Sequence, residues 1–338
     1  MNITSAIAKI TSGSNLTESE MSEVMLDLLE GRSTDAQIGA FLIALNMKGE
    51  SVEEVLGGAK IMRQLSAKVE VNTDNLVDTC GTGGSGIGIF NVSTTAAFLA
   101  CACGARVAKH GNRSATRNSG SADLLEAAGV SLELSPSQVS DCLENVGLGF
   151  MFAPSHHSAM KHVIGPRKEI AHKSIFNILG PLTNPASTPN QVMGVYDEKW
   201  MQPLAEVHLS LGSKNVMVVH SEDNLDEISI ASKTKVTELR EGKISRYVIS
   251  PEDFGLEFQS LDELKVNSPE ESLSMAKKAL KGEHSAASSM VALNAGAALY
   301  VSGIENSLSQ GVKKAKEGIK NKAGLDKLQE LAEYSRSF

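Results

Sequence analysis

Aromatic residues make up only 4% of the 338-residue chain and Trp200 is its one tryptophan, so the core must rest on Leu, Ile, Val, Ala and Met. Cysteine is scarce too. Cys80, Cys101, Cys103 and Cys142 show no C-x-x-C spacing, which argues against a thiolate metal site or a disulfide framework. Free thiols in a reducing, cytoplasmic setting are the expectation. No run approaches the ~20 apolar residues of a membrane span, and "MNITSAIAKI" lacks the cationic and apolar blocks of a secretory signal. Positive charge is short as well. A formal net charge of −8 argues against a broad nucleic-acid or anionic-membrane surface, so any anion site must be local. What remains is an ordinary globular composition, 41% hydrophobic and 21% charged, in a chain long enough to bury ~75% of its unfolded surface.

Residues 1–72 read as helices with no strand pattern between them. "LTESEMSEVMLDLLEG" opens with Thr17 as N-cap and Glu20 three residues on, a capping box that Gly31 closes. Ser33 or Thr34 starts "STDAQIGAFLIALNMKG" in the same way, and "SVEEVLGGAKIMRQLSAKV" is a third helix. From residue 73 the order becomes strand, loop, helix, twice over. "NLVDTC" leads through a glycine loop to a helix capped by Ser93 or Thr94, and "ARVAKH" leads through a polar loop to one capped by Ser121. "NVMVVH" is a buried strand that "DEISI" and "TKVTELR" continue, while "SIFNILGPLTNPAS" is helical up to Gly180. The expected fold is α/β. A small all-helical domain spans 1–72, joined in space by a helical segment near 168–190, and a larger domain spans 73–338 around a mostly parallel sheet.

The stretch "CGTGGSGIGIFNVSTTAAF" satisfies G-x-G-x-x-G at Gly81, Gly83 and Gly86. A dinucleotide-binding turn puts its third glycine in the first turn of the helix, yet this helix cannot begin before Asn91 or Ser93. The expected acid ~20 residues on is also missing, replaced by Arg106 and Lys109, which leaves only an NADP variant open. The loop-to-helix device, however, occurs twice. Hydroxyls at Ser93, Thr94, Thr95, Ser114, Thr116, Ser119 and Ser121 accompany cationic donors at Lys109, His110, Arg113 and Arg117. Each charge-assisted hydrogen bond to an anion contributes ~1.5–3 kcal/mol, and each helix start adds its dipole. Two cradles side by side suit one ligand with two separate phosphate groups. Asp223, Asp226 and Glu227 follow the buried strand at the end that faces a ligand crevice, and carboxylates beside phosphates suggest Mg²⁺.

Taken in order, "GTGG", "FNVST", "VAKHGNRSATRNSGSADLLEAAG", "FAPSHHSAMKHVIGPRKEI", "FNILGPLTNP" and the "DE" after a strand resemble the anthranilate phosphoribosyltransferases of tryptophan biosynthesis. The resemblance covers essentially the whole chain. It implies phosphoribosyl pyrophosphate (PRPP) at Gly81, Gly84, Ser85, Ile89, Asn91, Val92, Ser93 and Thr94. The run Lys109, His110, Gly111, Asn112, Arg113, Ser114, Ala115, Thr116 and Arg117, with Ser121, completes that site. It further implies anthranilate at Gly81, Asn112 and Arg167, Mg²⁺ at Ser93, Asp226 and Glu227, and Lys109 and Arg167 as catalytic residues. Partners are then small molecules rather than nucleic acid or membrane, and the chain is a homodimer through its N-terminal helices. Two positions depart from the pattern, Ser85 where the family carries Asp and Ile89 where it carries Ser or Thr. A pyrimidine nucleoside phosphorylase, or a non-catalytic nucleic-acid-binding relative, would share the fold and glycine loop. "KHGNR" and Arg167 weigh against the first, and net charge with Asp226 and Glu227 against the second. His110 is either a proton acceptor or a packed histidine, and His156 and His157 either border the anthranilate channel or cap a helix.

Overall fold

Capping boxes start three of the first four helices, because each reciprocal pair satisfies two backbone N–H groups that the helix leaves open. The computed structural model describes residues 1–84, 86–114 and 119–338. Its N-terminal helices are α1 (Ile3–Thr11), α2 (Glu18–Leu29), α3 (Asp35–Lys48) and α4 (Val52–Leu65). Thr17 with Glu20, Thr34 with Gln37 and Ser51 with Glu54 form the boxes, so Thr34 rather than Ser33 begins α3. Glu54 is fully buried, and its carboxylate also accepts the Leu16 N–H at 2.9 Å and pairs with Lys48 at 2.9 Å. Those partners make burial of the charge tolerable.

The strands are β1 (Leu76–Gly81), β2 (Arg106–Gly111), β3 (Leu148–Phe152), β4 (Asn190–Gly194), β5 (Asn215–Ser221), β6 (Thr234–Arg240) and β7 (Lys243–Ile249). They form one sheet in the order β3-β2-β1-β4-β5-β6-β7. The first five in that order run parallel, β6 pairs antiparallel with β5, and β7 pairs antiparallel with β6. Between the strands lie α5 (Val92–Ala102), α6 (Ser121–Ala127), α7 (Pro136–Asn145), α8 (Ala153–His156), α9 (Lys161–Ile170), α10 (Phe176–Leu179) and α11 (Met201–Ser210). The chain ends with α12 (Pro269–Lys281), α13 (Ser285–Val301), α14 (Leu308–Lys320) and α15 (Ala323–Ser335).

Two apolar clusters hold this together. One joins Val107 and Met217 of the sheet to Phe98 of α5, Met290 of α13 and Leu331 of α15. The other joins Met193 and Val218 to Leu204 of α11, Val163 of α9, Phe176 of α10 and the bundle residues Met21, Phe41 and Val55. Val163, Ile175, Phe176, Ile178 and Leu179 thus bury their side chains with the N-terminal helices. Among the described residues, no helix is long and apolar enough to cross a membrane.

Several expectations need correction. "DEISI" is no strand: it is a loop whose Ile228 and Ile230 are buried. Asn294 of α13 stands in for a neighbouring strand, its Oδ1 accepting the Ile228 N–H at 3.0 Å and its Nδ2 donating to the Ile228 carbonyl at 2.9 Å. Apolar alternation there signals burial, not ladder pairing. The N-cap of α5 is Asn91, so Ser93 and Thr94 lie inside the first turn. The N-cap of α6 is Gly120, whose N–H is accepted by Asp123 at 2.8 Å, so Ser121 is the first helical residue rather than the cap.

Candidate active site

The strand order reverses between β1 and β4, and in an open parallel sheet that point opens a crevice at the carboxyl ends of the strands. Gly81 and Gly194, the last residues of β1 and β4, are paired across it. Asp226 lies directly on this pair. A Cβ at Gly81 would meet Asp226 Oδ2 at 2.7 Å, and one at Gly194 would meet the Asp226 carbonyl oxygen at 1.7 Å. Only glycine permits so close an approach. Asp226 Oδ2 accepts the Gly83 N–H at 3.0 Å, and Glu227 Oε1 accepts the Ser93 N–H at 3.3 Å in the first turn of α5. Gly83, Gly84 and Gly86 have φ of +66°, +83° and +72°, values that disfavour side chains. Asp223 is set apart from the pair, its oxygens accepting from the Ser221 and Ser229 hydroxyls, both at 2.5 Å.

Beneath the crevice, Lys109 is 2% exposed and its ammonium donates to the Thr79 carbonyl. Burial pushes it below the usual lysine range, while Asp78 pulls it back. Asp78 is wholly buried and was not singled out by the sequence. It accepts from the His110 backbone N–H at 3.2 Å, Asn184 Nδ2 at 2.9 Å and Gln191 Nε2 at 3.2 Å, so one carboxylate ties four segments together. A lone acid inside an apolar strand has no sequence signal beyond its misplacement. His110 departs from its expected part as a cationic donor. Burial, with His157 and His156 alongside, holds its ring well below the usual histidine range, so it is neutral. Its ring lies 5.1 Å from that of His157. His156 Nδ1 donates to the Ala67 carbonyl at 3.0 Å, fastening the end of the bundle to the strand ends.

The two cradles share one residue. Asn91 Oδ1 accepts from the Ser119 and Ser272 hydroxyls, both at 2.7 Å, and its Nδ2 donates to the Ser119 carbonyl at 3.1 Å. Thr94 Oγ1 is buried with no hydrogen-bond partner among the described residues. Ile89 and Val92 point into the apolar core, so only their backbones can face a ligand. Arg113 turns to α6 instead of the crevice, paired with Asp123 at 3.0 Å and Glu126 at 2.7 Å. Asn112 Oδ1 accepts the Arg113 N–H at 2.8 Å, and the Asn112 carbonyl accepts from Ser121 Oγ at 3.3 Å. Gly111 ends β2 beneath them. The Ser114 N–H is accepted by Asp123 at 3.2 Å. Ser85, Ala115, Thr116 and Arg117 lie outside the described residues.

Arg167 sits on α9, apart from the glycine loop in sequence and on the helical side of the molecule. Its guanidinium lies 5.0 Å over the Phe176 ring and makes no ion pair among the described residues. Burial lowers its pKa from the usual arginine range.

Comparison with known proteins bears on this geometry. The helical-bundle domain of a glycosyl transferase family matches residues 4–66, and that family's α/β domain matches 73–324. Anthranilate phosphoribosyltransferase of Marinomonas sp. is 54% identical over 340 residues, spanning 100% of this chain and 98% of the relative. That of Thioalkalivibrio sulfidiphilus is 51% identical over the full length of both. The chain belongs to the anthranilate phosphoribosyltransferase family. The crystal structure of the Thermus thermophilus enzyme superposes with a TM-score of 0.92 at 39% identity, covering 98% of this chain and 99% of that one. The Saccharomyces cerevisiae enzyme, solved in complex with PRPP and Mg, gives a TM-score of 0.90 at 26% identity over 99% and 98% of the chains. As an anthranilate phosphoribosyltransferase, the chain is a pentosyl-transferring enzyme of tryptophan biosynthesis. It moves the phosphoribosyl group of PRPP to the amino group of anthranilate, giving N-(5-phosphoribosyl)anthranilate and diphosphate.

Proposed function

We propose that the diphosphate of PRPP lies between the glycine loop and the start of α5, facing Asp226 and Glu227. The seating of Asp226 on Gly81 and Gly194, with Glu227 at the Ser93 amide, carries this reading. Among the described residues, no cluster of three or more His, Cys, Asp or Glu could hold a metal alone. Two carboxylates and the Ser93 hydroxyl are hard oxygen donors, the set that suits Mg²⁺ completed by water and phosphate oxygens. Bound there, Mg²⁺ would neutralise charge on the departing diphosphate.

The protein's own groups account for the rest. The loop amides and the Lys109 ammonium stabilise the leaving oxygens as positive charge builds at ribose C1. The aromatic amine is unprotonated at neutral pH and needs holding in line on the opposite face more than it needs a base. Arg167 receives the anthranilate carboxylate, with Asn112 beside it. With Arg113 paired instead to Asp123 and Glu126, Lys109, Arg167 and the other PRPP and anthranilate contacts are assigned as the family resemblance implies, with His110 neutral. The direct test is the loss of anthranilate fluorescence on adding PRPP and Mg²⁺. Arg167→Ala should raise the anthranilate KM by about 10- to 100-fold, the worth of one charge-assisted contact, and leave the PRPP KM within about twofold. Equal changes in both constants in initial-rate measurements would refute this assignment.

The chain is further proposed to be a homodimer through its bundle. A groove of about 520 Å³ between α1 and α3 is lined by Ile10, Ile43, Ala44 and Met47, and Met47 is 82% exposed. Met47 with its apolar neighbours supports a second copy as the cover of this groove. Met47→Glu should halve the mass measured by light scattering at micromolar protein; an unchanged mass would place the interface elsewhere.

A further inference from the structure

Lys173 stands at the mouth of the glycine loop, six residues beyond Arg167. Ala171, at φ +45°, ends α9 in the left-handed region and turns the chain back toward the crevice. The next segment is fixed three residues later, where the Ser174 N–H is accepted by Asn177 Oδ1 at 3.0 Å. Between these points Lys173 reaches out, its ammonium 3.5 Å from the centroid of the Tyr196 ring. A Cβ on Gly84 would lie 3.3 Å from that ammonium and 3.5 Å from Lys173 Cε. The cation therefore roofs the loop. Tyr196 cannot move independently of the loop, since its N–H is accepted by Thr82 Oγ1 at 3.1 Å and the Thr82 N–H by the Gly194 carbonyl at 2.9 Å. Among the described residues, Lys173 pairs with no carboxylate.

We propose that Lys173 is a diphosphate-binding residue, held ready on the Tyr196 ring and transferred to a phosphate oxygen when PRPP occupies the glycine loop. This rests on the placement of the diphosphate given above. An exposed cation–π contact is weaker than a charge-assisted hydrogen bond to phosphate, so the exchange is favourable. Lys173 also shares a short segment with Arg167, which links the part that grips anthranilate to the part that senses diphosphate.

The test is calorimetric titration of inorganic pyrophosphate with Mg²⁺ into the full chain, for wild type, Lys173→Ala, Lys173→Arg and Asp226→Asn. Lys173→Ala should weaken binding roughly tenfold, the worth of one such contact, and Lys173→Arg should restore it to within about threefold. In steady state, Lys173→Ala should raise the PRPP KM by the same factor without moving the anthranilate KM. If Asp226→Asn weakens binding but Lys173→Ala does not, the Lys173 assignment falls while the site stands. If neither variant weakens binding, the diphosphate lies elsewhere and both readings fall. A failure of arginine to rescue would also overturn the proposal, since any cation of similar reach should serve.

Discussion

Replacing Asp226 by Asn together with Glu227 by Gln is expected to lower turnover by at least ~10³-fold, since removing even one preorganised electrostatic contact costs ~10²–10³. Both variants keep the shape of the native side chain and an oxygen that can accept the Gly83 and Ser93 amides. The fold should persist, with circular dichroism and the melting temperature close to wild type. The loss therefore isolates charge. Initial rates across a magnesium titration make the measurement. A double variant with near-normal activity at any magnesium concentration would show that these carboxylates hold no metal.

Gly194→Ala should be nearly as damaging, by a different route. Its methyl group would fall 1.7 Å from the Asp226 carbonyl oxygen and 2.4 Å from the carbonyl carbon, and neither atom is the free end of a side chain. The turn carrying Asp226 must lift. It cannot yield locally, because Asp223 is bonded to both Ser221 and Ser229 at its base. Overpacking of this kind costs about 1–3 kcal/mol, a shift of several degrees in melting temperature. Displacing Asp226 from Gly83 should also weaken magnesium-dependent turnover by an order of magnitude or more. Alanine at Gly165, where a Cβ meets nothing within 4 Å, is the matched control for stability. If Gly194→Ala melts and turns over like that control, the seat has no such constraint.

Much of this was open to inspection in the sequence. Thr17 announced its helix, and Ser33 or Thr34 the next, because a capping box is a local device, complete within four residues. "NLVDTC", "ARVAKH" and "NVMVVH" are strands as expected, since buried parallel strands are continuous apolar runs. Asp223, Asp226 and Glu227 were singled out from their place after such a strand, and the structure sets Asp223 apart from the other two. What escaped is non-local. Strands β3 and β4 are five residues each, one with a glycine inside and the other ending in one, too short for periodicity to register. The loop at Ile228 has the alternation of a strand because Asn294, 66 residues on, supplies its hydrogen bonds. Gly194 is one glycine among many until Asp226 is placed against it, and Arg113 looks like a phosphate ligand until Glu126 comes round on α6 to meet it. Each of these depends on chain segments meeting in space.

Asn91 has a consequence for motion. Its carboxamide is bonded at once to Ser119, ahead of α6, and to Ser272 on α12, while its backbone caps α5. Ser119 and Ser272 cannot shift against the start of α5 without breaking bonds to that one amide. On the placement proposed for PRPP, the spacing between the two ends of the substrate would be gauged by a single amide, which would make Asn91 the ruler of the site more than one of its fingers.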